Sequence, residues 1–397
     1  MIRTIHPFPA RMAPELALAT LDNLRPNSVV LDPMSGSGTV IRQAAELGHR
    51  AFGFDMDPLA VLMSRVWTKS VADDLIKTVA DQLFDEIERI GDQSVVLPWI
   101  DDDPETSDFI DFWFGSAQKI ALRKIAFVLD GMTRRRFSGQ KKAAIDVIKV
   151  ALSRIIITKE QAASLARDTS HSRPHKVSAE SDFEVLPALM RSIAQIRKRL
   201  LETPTSGASE VNLGDARKLK SVGDNSVDLV LTSPPYLNAI DYLRGHRLSL
   251  VWLGFRISNL RGIRSTSIGA ERAPDKQLVM TRYQPIWTAM CDVEILQRKH
   301  VSMIHRYSED LYRMMSEVAR VVKREGTATF VVGNSCLKGN FIQNSAGVEA
   351  AAVMNGMRTI NSFERDLPVG SRYLPTPAGG SLGKRMRTET ILTFGHA

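Results

Sequence analysis

Cysteine is scarce in this 397-residue sequence, which contains only Cys291 and Cys336, far apart in the chain. Two isolated thiols exclude a disulfide framework and a CxxC-based zinc site, and they fit a reducing cytoplasm. No apolar run approaches the roughly 20 residues that span a bilayer, and the N-terminus lacks the apolar core of a signal peptide. The histidines are isolated polar positions. We therefore expect a cytoplasmic protein with no membrane association and no metal site.

Basic residues are nearly missing from one stretch of the chain, although the formal net charge is +8. Residues 70–114 contain 13 acidic and 2 basic residues, whereas residues 115–205 contain 18 basic and 8 acidic residues. The net charge favours a polyanionic partner, and the asymmetry predicts that one face of an inserted module repels nucleic acid while another attracts it. Two solvated helical faces that differ by coincidence are the alternative.

Short apolar strands alternate with helices at both ends of the chain. Ser28–Asp32 and Ala51–Asp55 are predicted strands, each followed by a turn and a helix, of which the first is Thr39–Leu47. Further segments with strand character are Glu210–Leu213, Val227–Thr232, Ala328–Gly333 and Thr390–Phe394, with a helix at Ser308–Val322. This order predicts an α/β fold built on a doubly wound, mostly parallel sheet.

A long helical stretch interrupts the sheet between its second and third strands. Apolar spacing predicts helices at Leu75–Ile90, Ala117–Leu129, Ala143–Ile157 and Leu186–Leu201, and Ala166–Lys176 reads as a polar loop. We therefore predict three parts: a first sheet-forming half (1–69), a helical insertion (70–205), and a second sheet-forming half (206–397). The last part carries a loop-rich insertion at about 237–305.

Polar residues follow the first three predicted strands. The turn after the first strand, DPMSGSGT (32–39), lacks the Gly-Lys-Ser/Thr of a Walker loop and the full GxGxxG pattern. Asp55 ends the second strand, where a carboxylate can accept hydrogen bonds from both ribose hydroxyls of an adenosine moiety. Asp215 ends the third strand, where it could hold an adenine amino group. Together these strand ends predict a nucleoside cofactor site, whereas the glycine turn alone could be only a tight connection.

The segment Thr232-Ser233-Pro234-Pro235-Tyr236 directly follows an apolar strand. Two prolines hold the chain extended and remove two N–H donors, so nearby carbonyls can face a substrate. A serine hydroxyl and a backbone carbonyl can accept both hydrogens of an aromatic amine, which frees its nitrogen lone pair for attack. Tyr236 offers a flat face for a base, and such stacking contributes roughly 1–3 kcal/mol per base. The alternative is a proline-rich turn that only closes the strand.

Taken together, these motifs resemble the amino-group DNA methyltransferases of the N4-cytosine and N6-adenine types. The resemblance is carried by HPFPARMAPEL (6–16), LDPMSGSGT (31–39), GFDMDP (53–58), GDA (214–216), TSPPYLNAIDY (232–242) and VVGNS (331–335). It implies a Rossmann-like, seven-stranded sheet, S-adenosylmethionine at the glycine turn, and a flipped base at the SPPY loop. Serine in the first catalytic position resembles the N4-cytosine members, whereas Asp or Asn is more usual in N6-adenine enzymes.

The resemblance also assigns residues. The target base would lie at the catalytic residues Ser233, Pro234, Pro235 and Tyr236. Asp55 would bind the ribose, Met56 would flank the adenine, and Asp215 would hold its amino group. The remaining cofactor-binding residues would be His6, Phe8, Arg11, Asp32, Pro33, Ser35, Gly36, Gly38, Thr39, Asp57 and Ala216. Residues 1–69 would then be the cofactor-binding half, 70–205 the target-recognition module, and 206–397 the catalytic half.

Basic residues of the two insertions are candidates for contacts with double-stranded DNA. We predict nucleic-acid binding by Arg134, Arg135, Arg136, Arg173, Lys176, Arg261, Arg264 and Arg272, although any one of them could be a solvated surface charge. A family role in restriction–modification or epigenetic marking would make a cognate restriction endonuclease a candidate partner. The protein would then associate with the nucleoid when it is bound to DNA.

Three other interpretations remain open at this level. The first is methylation of adenine N6 rather than cytosine N4. The second is an RNA amino-group methyltransferase, which would share the cofactor sheet and the Pro-Pro-aromatic motif. The third is a non-enzymatic DNA-binding module that retains the fold, against which the intact Gly36, Asp55 and Ser233 argue.

Overall fold

The computed structural model describes residues 5–8, 12–135, 139–167, 174–202, 207–237, 241–270, 281–337, 339–366 and 388–397. Its strands are β1 (Val29–Asp32), β2 (Arg50–Asp55), β3 (Ala166–Arg167), β4 (His175–Lys176), β5 (Ser209–Leu213), β6 (Val227–Thr232), β7 (Val322–Gly333), β8 (Ser335–Leu337), β9 (Asn340–Ile342), β10 (Met357–Asp366) and β11 (Thr388–His396).

The helices alternate with these strands and also fill the long insertion. They are α1 (Pro14–Leu21), α2 (Thr39–Glu46), α3 (Pro58–Thr68), α4 (Asp73–Ile90), α5 (Pro98–Asp101), α6 (Pro104–Trp113), α7 (Ser116–Arg134), α8 (Gly139–Ile156), α9 (Val185–Glu202), α10 (Leu243–Leu250), α11 (Ile257–Thr266), α12 (Gln284–Met290), α13 (Arg298–Val321) and α14 (Asn344–Met354).

Seven strands form one sheet in the order β10-β11-β7-β6-β1-β2-β5. The pairs from β5 to β7 are parallel, and β11 runs antiparallel to both of its neighbours. The chain leaves β1 towards β2 and β5, then returns to β6 on the other side of β1. The point where strand order reverses therefore lies between β1 and β6, and such points form a ligand crevice in α/β sheets. The predicted fold class is confirmed.

The central strands owe their position to their nearly uninterrupted apolar sequence. β6 reads VDLVLT, and all its residues except Asp228 are buried. Both faces of a parallel strand are covered by helices, so such a strand carries apolar side chains in both directions. β10 has the opposite character: most of its residues are exposed, and it lies at the sheet edge.

Contacts divide the chain into two compact units. We call Met1–Pro9, Asp57–Thr205 and Asp241–Arg264 the helical unit, and Ala10–Met56, Ser206–Ile240 and Ser265–Ala397 the sheet unit. Each unit has its own apolar core. The predicted domain boundaries stay a prediction. In this grouping, α3 and α10 pack with the helices of the long insertion.

The segments 237–305 and 166–176 both differ from the sequence-based prediction. The region predicted as loop-rich, 237–305, holds α10, α11 and α12 in its described part. These helices have only 7 to 10 residues, too few to show a clear apolar period in the sequence. The predicted polar loop at 166–176 begins with β3 and ends with β4. These two-residue strands pair antiparallel, with Ala166 opposite Lys176.

Candidate active site

The glycine turn and the SPPY loop follow adjacent strands. β1 and β6 pair in parallel, with Leu31 opposite Val230, so both loops leave the same edge of the sheet. A side-chain hydrogen bond joins the two strand ends, because the Thr232 hydroxyl donates to Asp32 Oδ1 over 2.7 Å. The two motifs, about 200 residues apart in sequence, therefore meet at the reversal point of the sheet.

Asp32 lies almost fully buried at this junction, with 4% of its surface exposed. Burial raises the pKa of its carboxyl group to about 7, because the hydrogen bonds from Thr232 and from the Met34 backbone offset the lost hydration only in part. The nearby charge of Asp55 adds to the rise. Asp32 was predicted from the sequence to bind the cofactor, and its contacts among the described residues brace the turn.

The glycine turn folds back onto the end of β2. Gly36 and Gly38 have φ values of 50° and 89°, which glycine adopts without steric cost. The Gly36 N–H donates to Asp55 Oδ2 over 2.8 Å, and the Ser35 N–H donates to the Phe54 carbonyl over 2.8 Å. The predicted ribose-binding carboxylate and the turn are thus held together as one structure.

Three hydroxyl groups of this turn are buried without a hydrogen-bond partner among the described residues. They belong to Ser35, Ser37 and Thr39, each no more than 6% exposed. Buried hydroxyl groups normally find partners, so three together at the start of α2 fit the binding of a polar ligand. The helix N-terminus adds a partial positive charge that favours a carboxylate. Pro33 is buried in the same turn.

Asp215 carries an interaction that the sequence analysis missed. Arg217 donates to Asp215 Oδ1 from Nε over 2.9 Å and to Oδ2 from Nη2 over 2.8 Å. Burial disfavours the charged carboxylate, but the hydrogen bonds from Arg217 outweigh burial and hold the pKa of Asp215 below its usual value. Arg217 Nη2 also lies 3.8 Å from Met56 Sδ, which places two predicted adenine contacts beside one guanidinium. Ala216 is buried in the core of the sheet unit.

Ser233 has its hydroxyl hydrogen already committed. Its Oγ donates to the Val331 carbonyl on β7 over 2.9 Å. A hydroxyl has one hydrogen and two lone pairs, so this bond leaves Ser233 Oγ to act as an acceptor towards any further partner. Only an acceptor can orient an amino group through its hydrogens. The geometry thus gives Ser233 the character that the predicted role requires.

Tyr236 lies close to the backbone of two glycines. A Cβ atom at Gly333 would lie 3.0 Å from the Tyr236 ring, and one at Gly269 would lie 3.0 Å from the Tyr236 carbonyl oxygen. The Tyr307 hydroxyl of α13 also donates to the Pro235 carbonyl of the loop over 3.1 Å. Pro234 is buried. The SPPY loop is therefore in close contact with glycine backbone and with α13, and Tyr307 is a second residue that the sequence analysis missed.

The predicted cofactor-flanking residues of the N-terminus fall in the helical unit. Phe8 stacks on Tyr242 at 4.9 Å between ring centroids, and His6 Nδ1 lies 2.7 Å from the Pro7 carbonyl. Asp57 caps α3 by accepting from the Leu59 N–H, and its other oxygen lies 2.5 Å from His246 Nδ1. Arg11 lies outside the described residues. Contacts of these residues with a cofactor stay a prediction.

The predicted DNA-binding residues that are described all have partners within the helical unit. Arg134 pairs with Asp130 and Arg135 with Glu86, Arg261 pairs with Glu105 and Arg264 with Asp241, and Lys176 lies over the Phe112 ring. Arg134 and Arg135 remain 69% and 57% exposed, so both can still reach a phosphate. Arg136, Arg173 and Arg272 lie outside the described residues.

Ion pairs join the acidic and the basic stretches of the insertion. Arg197 donates to both oxygens of Asp73, at 2.7 and 2.6 Å. Arg123 pairs with Asp101, and Lys119 with Asp111, each at 2.7 Å. Part of the charge asymmetry seen in the sequence is therefore neutralised by pairing inside the helical unit.

Two further observations bear on the sequence analysis. Within the described ranges, no three His, Cys, Asp or Glu side chains gather in a way that could hold a metal ion. The helices of the same ranges include none that is long and apolar enough to cross a membrane.

Comparisons with known proteins give distant likenesses. No family model matches the chain. The type II methyltransferase M.MvaI of Kocuria varians is 23% identical over 98% of this chain and 89% of its own. The type II methyltransferase M.BsoBI of Geobacillus stearothermophilus is 24% identical over 80% of this chain and 71% of its own. A solved structure, a TehB-like SAM-dependent methyltransferase from Corynebacterium glutamicum, matches 96% of this chain and 88% of its own at 9% identity, with a TM-score of 0.30.

Proposed function

We propose that this protein is an S-adenosylmethionine-dependent DNA methyltransferase that methylates the N4 amino group of a flipped cytosine in double-stranded DNA. The observation that carries the proposal is the meeting of the glycine turn and the SPPY loop at the ends of β1 and β6. One loop has the features of a nucleoside cofactor site and the other those of an amino-group site. Methyl transfer needs both at one place.

The residues of the sheet unit fit the cofactor. The hydroxyls of Ser35, Ser37 and Thr39 and the N-terminus of α2 would hold its methionine carboxylate, Asp55 its ribose, and Asp215 its adenine amino group. S-adenosylmethionine supplies a sulfonium methyl group: the methyl C–S bond breaks as the N–C bond forms, and one amino proton passes to solvent. The protein contributes the binding of the cofactor and the orientation of the amino group.

The target base would be held by the SPPY loop. Ser233 Oγ accepts one amino hydrogen because its own hydrogen is bound to Val331, and a proline carbonyl of the loop accepts the other. Tyr236 stacks on the extruded base, which offsets part of the few kcal/mol needed to remove a base from the duplex. With both hydrogens directed aside, the nitrogen lone pair is turned towards the methyl group.

The choice of DNA rests on the curated relatives and on charge. Both relatives are named type II methyltransferases, and M.MvaI matches almost the whole of this chain. The exposed Arg134 and Arg135 of the helical unit would anchor phosphates. A role in restriction–modification, with a cognate endonuclease, belongs to the same proposal. The choice of cytosine rests on Ser233, which stands where N6-adenine enzymes more often carry Asp or Asn.

Nucleoside analysis tests the proposal. The 397-residue protein is incubated in separate reactions with unmodified plasmid DNA or with RNA, each with S-adenosylmethionine bearing a deuterated methyl group, and the nucleic acid is digested for mass spectrometry. We expect labelled N4-methyldeoxycytidine, which is lost with Ser233→Ala and kept with Ser226→Ala, a serine that precedes β6 and bonds to the Gly223 carbonyl. Labelled N6-methyldeoxyadenosine would show that the target base is adenine and not cytosine. Label in the RNA reaction alone would exclude DNA as the substrate. No label in either reaction would exclude methyltransferase activity on nucleic acid.

A further inference from the structure

Arg217 lies two positions after Asp215, in the turn that follows β5. Its backbone N–H and its Nε both donate to Asp215 Oδ1, each over 2.9 Å. Its Nη2 donates to Oδ2 over 2.8 Å. The guanidinium therefore grips the carboxylate through two parallel side-chain hydrogen bonds, a geometry that fixes a carboxylate group in position as well as in charge.

The far side of the same guanidinium is also fixed. Nη1 donates to Asp310 Oδ1 on α13 over 2.5 Å, and Nη2 donates to the Thr266 carbonyl over 2.7 Å. The side chains of Arg217 and Asp310 are 11% and 8% exposed. Burial disfavours the charged guanidinium, but its hydrogen bonds to the two aspartates, together with their negative charges, outweigh burial and raise the pKa of Arg217, so the group stays protonated. Arg217 is thus locked between the end of β5 and α13.

The two carboxylate oxygens of Asp215 differ in the number of hydrogen bonds that they accept. Oδ1 accepts two hydrogen bonds, one for each lone pair, whereas Oδ2 accepts a single one among the described residues. Oδ2 is therefore the oxygen that can accept a further hydrogen. An unrestrained carboxylate would rotate, and a ligand would have to stop that rotation on binding.

We propose that Arg217 is a positioning residue for the cofactor: it orients Asp215 so that Oδ2 accepts the hydrogen of the adenine amino group. This inference rests on the proposed function, in which Asp215 binds that amino group. Arg217 itself touches neither the methyl group nor the target base. Its effect should appear as discrimination between cofactors with and without the amino group.

The structure offers a matched control in Arg320. This arginine joins α13 to the same stretch of chain, since it donates to Glu317 and to the carbonyls of Leu219 and Val222. Its partners among the described residues also include Asp224, and Asp215 is not one of them. Arg320→Met therefore removes an ion-pair network of similar kind without changing the orientation of Asp215.

The test measures binding by calorimetry with two ligands, S-adenosylhomocysteine and its analogue in which hydrogen replaces the adenine amino group. We expect the wild type to bind the first roughly tenfold more tightly, the effect of one hydrogen bond to a charged acceptor. In Arg217→Met this ratio should fall to within about twofold of one, mainly through weaker binding of S-adenosylhomocysteine. Arg320→Met should lower the unfolding temperature and keep the wild-type ratio.

Arg217→Met removes the positive charge nearest to the buried Asp310, and the variant could fail to fold for that reason. A second variant therefore keeps the proposal testable. Arg217→Lys keeps a positive charge there but cannot form the two parallel bonds, so its ratio should fall at least threefold. A wild-type ratio near one would overturn both the adenine contact of Asp215 and the role of Arg217. A wild-type ratio near ten that persists in the Arg217 variants would overturn the role of Arg217 alone.

Discussion

The Ser233 hydroxyl donates its hydrogen to the Val331 carbonyl over 2.9 Å, across the boundary between β6 and β7. This bond turns a group that could donate or accept into one that can only accept. An amino group bound to it keeps its lone pair for the methyl group.

Ser233→Ala should therefore lower the single-turnover methylation rate roughly 10- to 100-fold, equivalent to about 1.4–2.8 kcal/mol of transition-state stabilisation. Binding of DNA and of S-adenosylhomocysteine should change little. Rapid-quench kinetics with enzyme in excess over DNA measures the rate, and Ser226→Ala serves as the control. A wild-type rate in Ser233→Ala would remove the SPPY loop from the catalytic centre.

Tyr307 supports the same loop from α13. Its side chain is 1% exposed, and burial, together with the charges of Asp310 and Tyr236, raises the pKa of its phenol, so it stays a neutral donor to the Pro235 carbonyl. Tyr307→Phe should cost about 1 kcal/mol of unfolding free energy and slow methylation roughly tenfold, because the loop loses a fixed contact.

The control for this prediction is Tyr312→Phe. Tyr312 lies on the same helix, where its hydroxyl accepts from Arg282 and not from the loop. The Tyr312→Phe variant should at most be less stable than the wild type, and it should keep the wild-type rate in single-turnover measurements. Equal rates in Tyr307→Phe and the wild type would show that the hydrogen bond to Pro235 is dispensable for catalysis.

Asp32 should make stability fall as the pH rises. Its folded-state pKa of about 7 lies above the ordinary 3.8, so the folded protein keeps a proton that the unfolded chain loses between those values. The cost of ionising it grows over that interval to roughly 2–4 kcal/mol. Asp32→Asn cannot ionise, and its unfolding free energy relative to wild type should improve from pH 4 to pH 8, as measured by urea titration.

Asp228 provides a control of opposite sign. Burial disfavours its charge, but hydrogen bonds from Lys323 and from the Val29 N–H outweigh burial and lower its pKa. Its contribution is present above the ordinary pKa and is lost as the pH falls through the lowered value. Asp228→Asn should thus be more destabilising at pH 8 than near pH 3. The same pH trend in both variants would contradict the assignment of Asp32.

Arg134 and Arg135 are neighbouring arginines that were predicted to contact DNA, and more than half of each side chain is exposed. If both contact phosphates, the double change to Gln should reduce the slope of log K against log salt by up to about 1.8, since each phosphate contact contributes about 0.9. Fluorescence anisotropy with a labelled duplex measures the slope. Arg197→Gln, in which the replaced arginine is held by Asp73, should leave it unchanged. An unchanged slope in the double variant would make the charge asymmetry of the insertion incidental to binding.

Local sequence patterns determined much of the sheet and both loops of the candidate site. The strand Val227–Thr232 has the predicted bounds because a run of apolar β-formers ending at two prolines leaves few alternatives. The glycine turn is equally local, since the φ values of Gly36 and Gly38 are open to glycine at no steric cost. Both loops can be predicted locally because glycine and proline themselves determine which backbone conformations are open to the chain.

Other elements left little trace in the sequence. β10, which the strand pattern did not reveal, is a polar edge strand that pairs with β11 on one side only, so its residues show little of the alternation that burial imposes. The short helices α10 to α12 were likewise missed. Tertiary packing, more than an apolar period, makes these segments regular.

The sequence by itself determined which loops carry the chemistry, whereas only the tertiary structure decided what supports them. Arg217 and Asp310 are 93 positions apart, and Tyr307 and Pro235 are 72 apart. Arginine, aspartate and tyrosine are common on protein surfaces, and nothing in their local sequence distinguishes a supporting contact from a solvated side chain. Strand order brings α13 next to the SPPY loop and to the turn after β5. Strand order in turn depends on long-range pairing that one strand's own sequence does not encode.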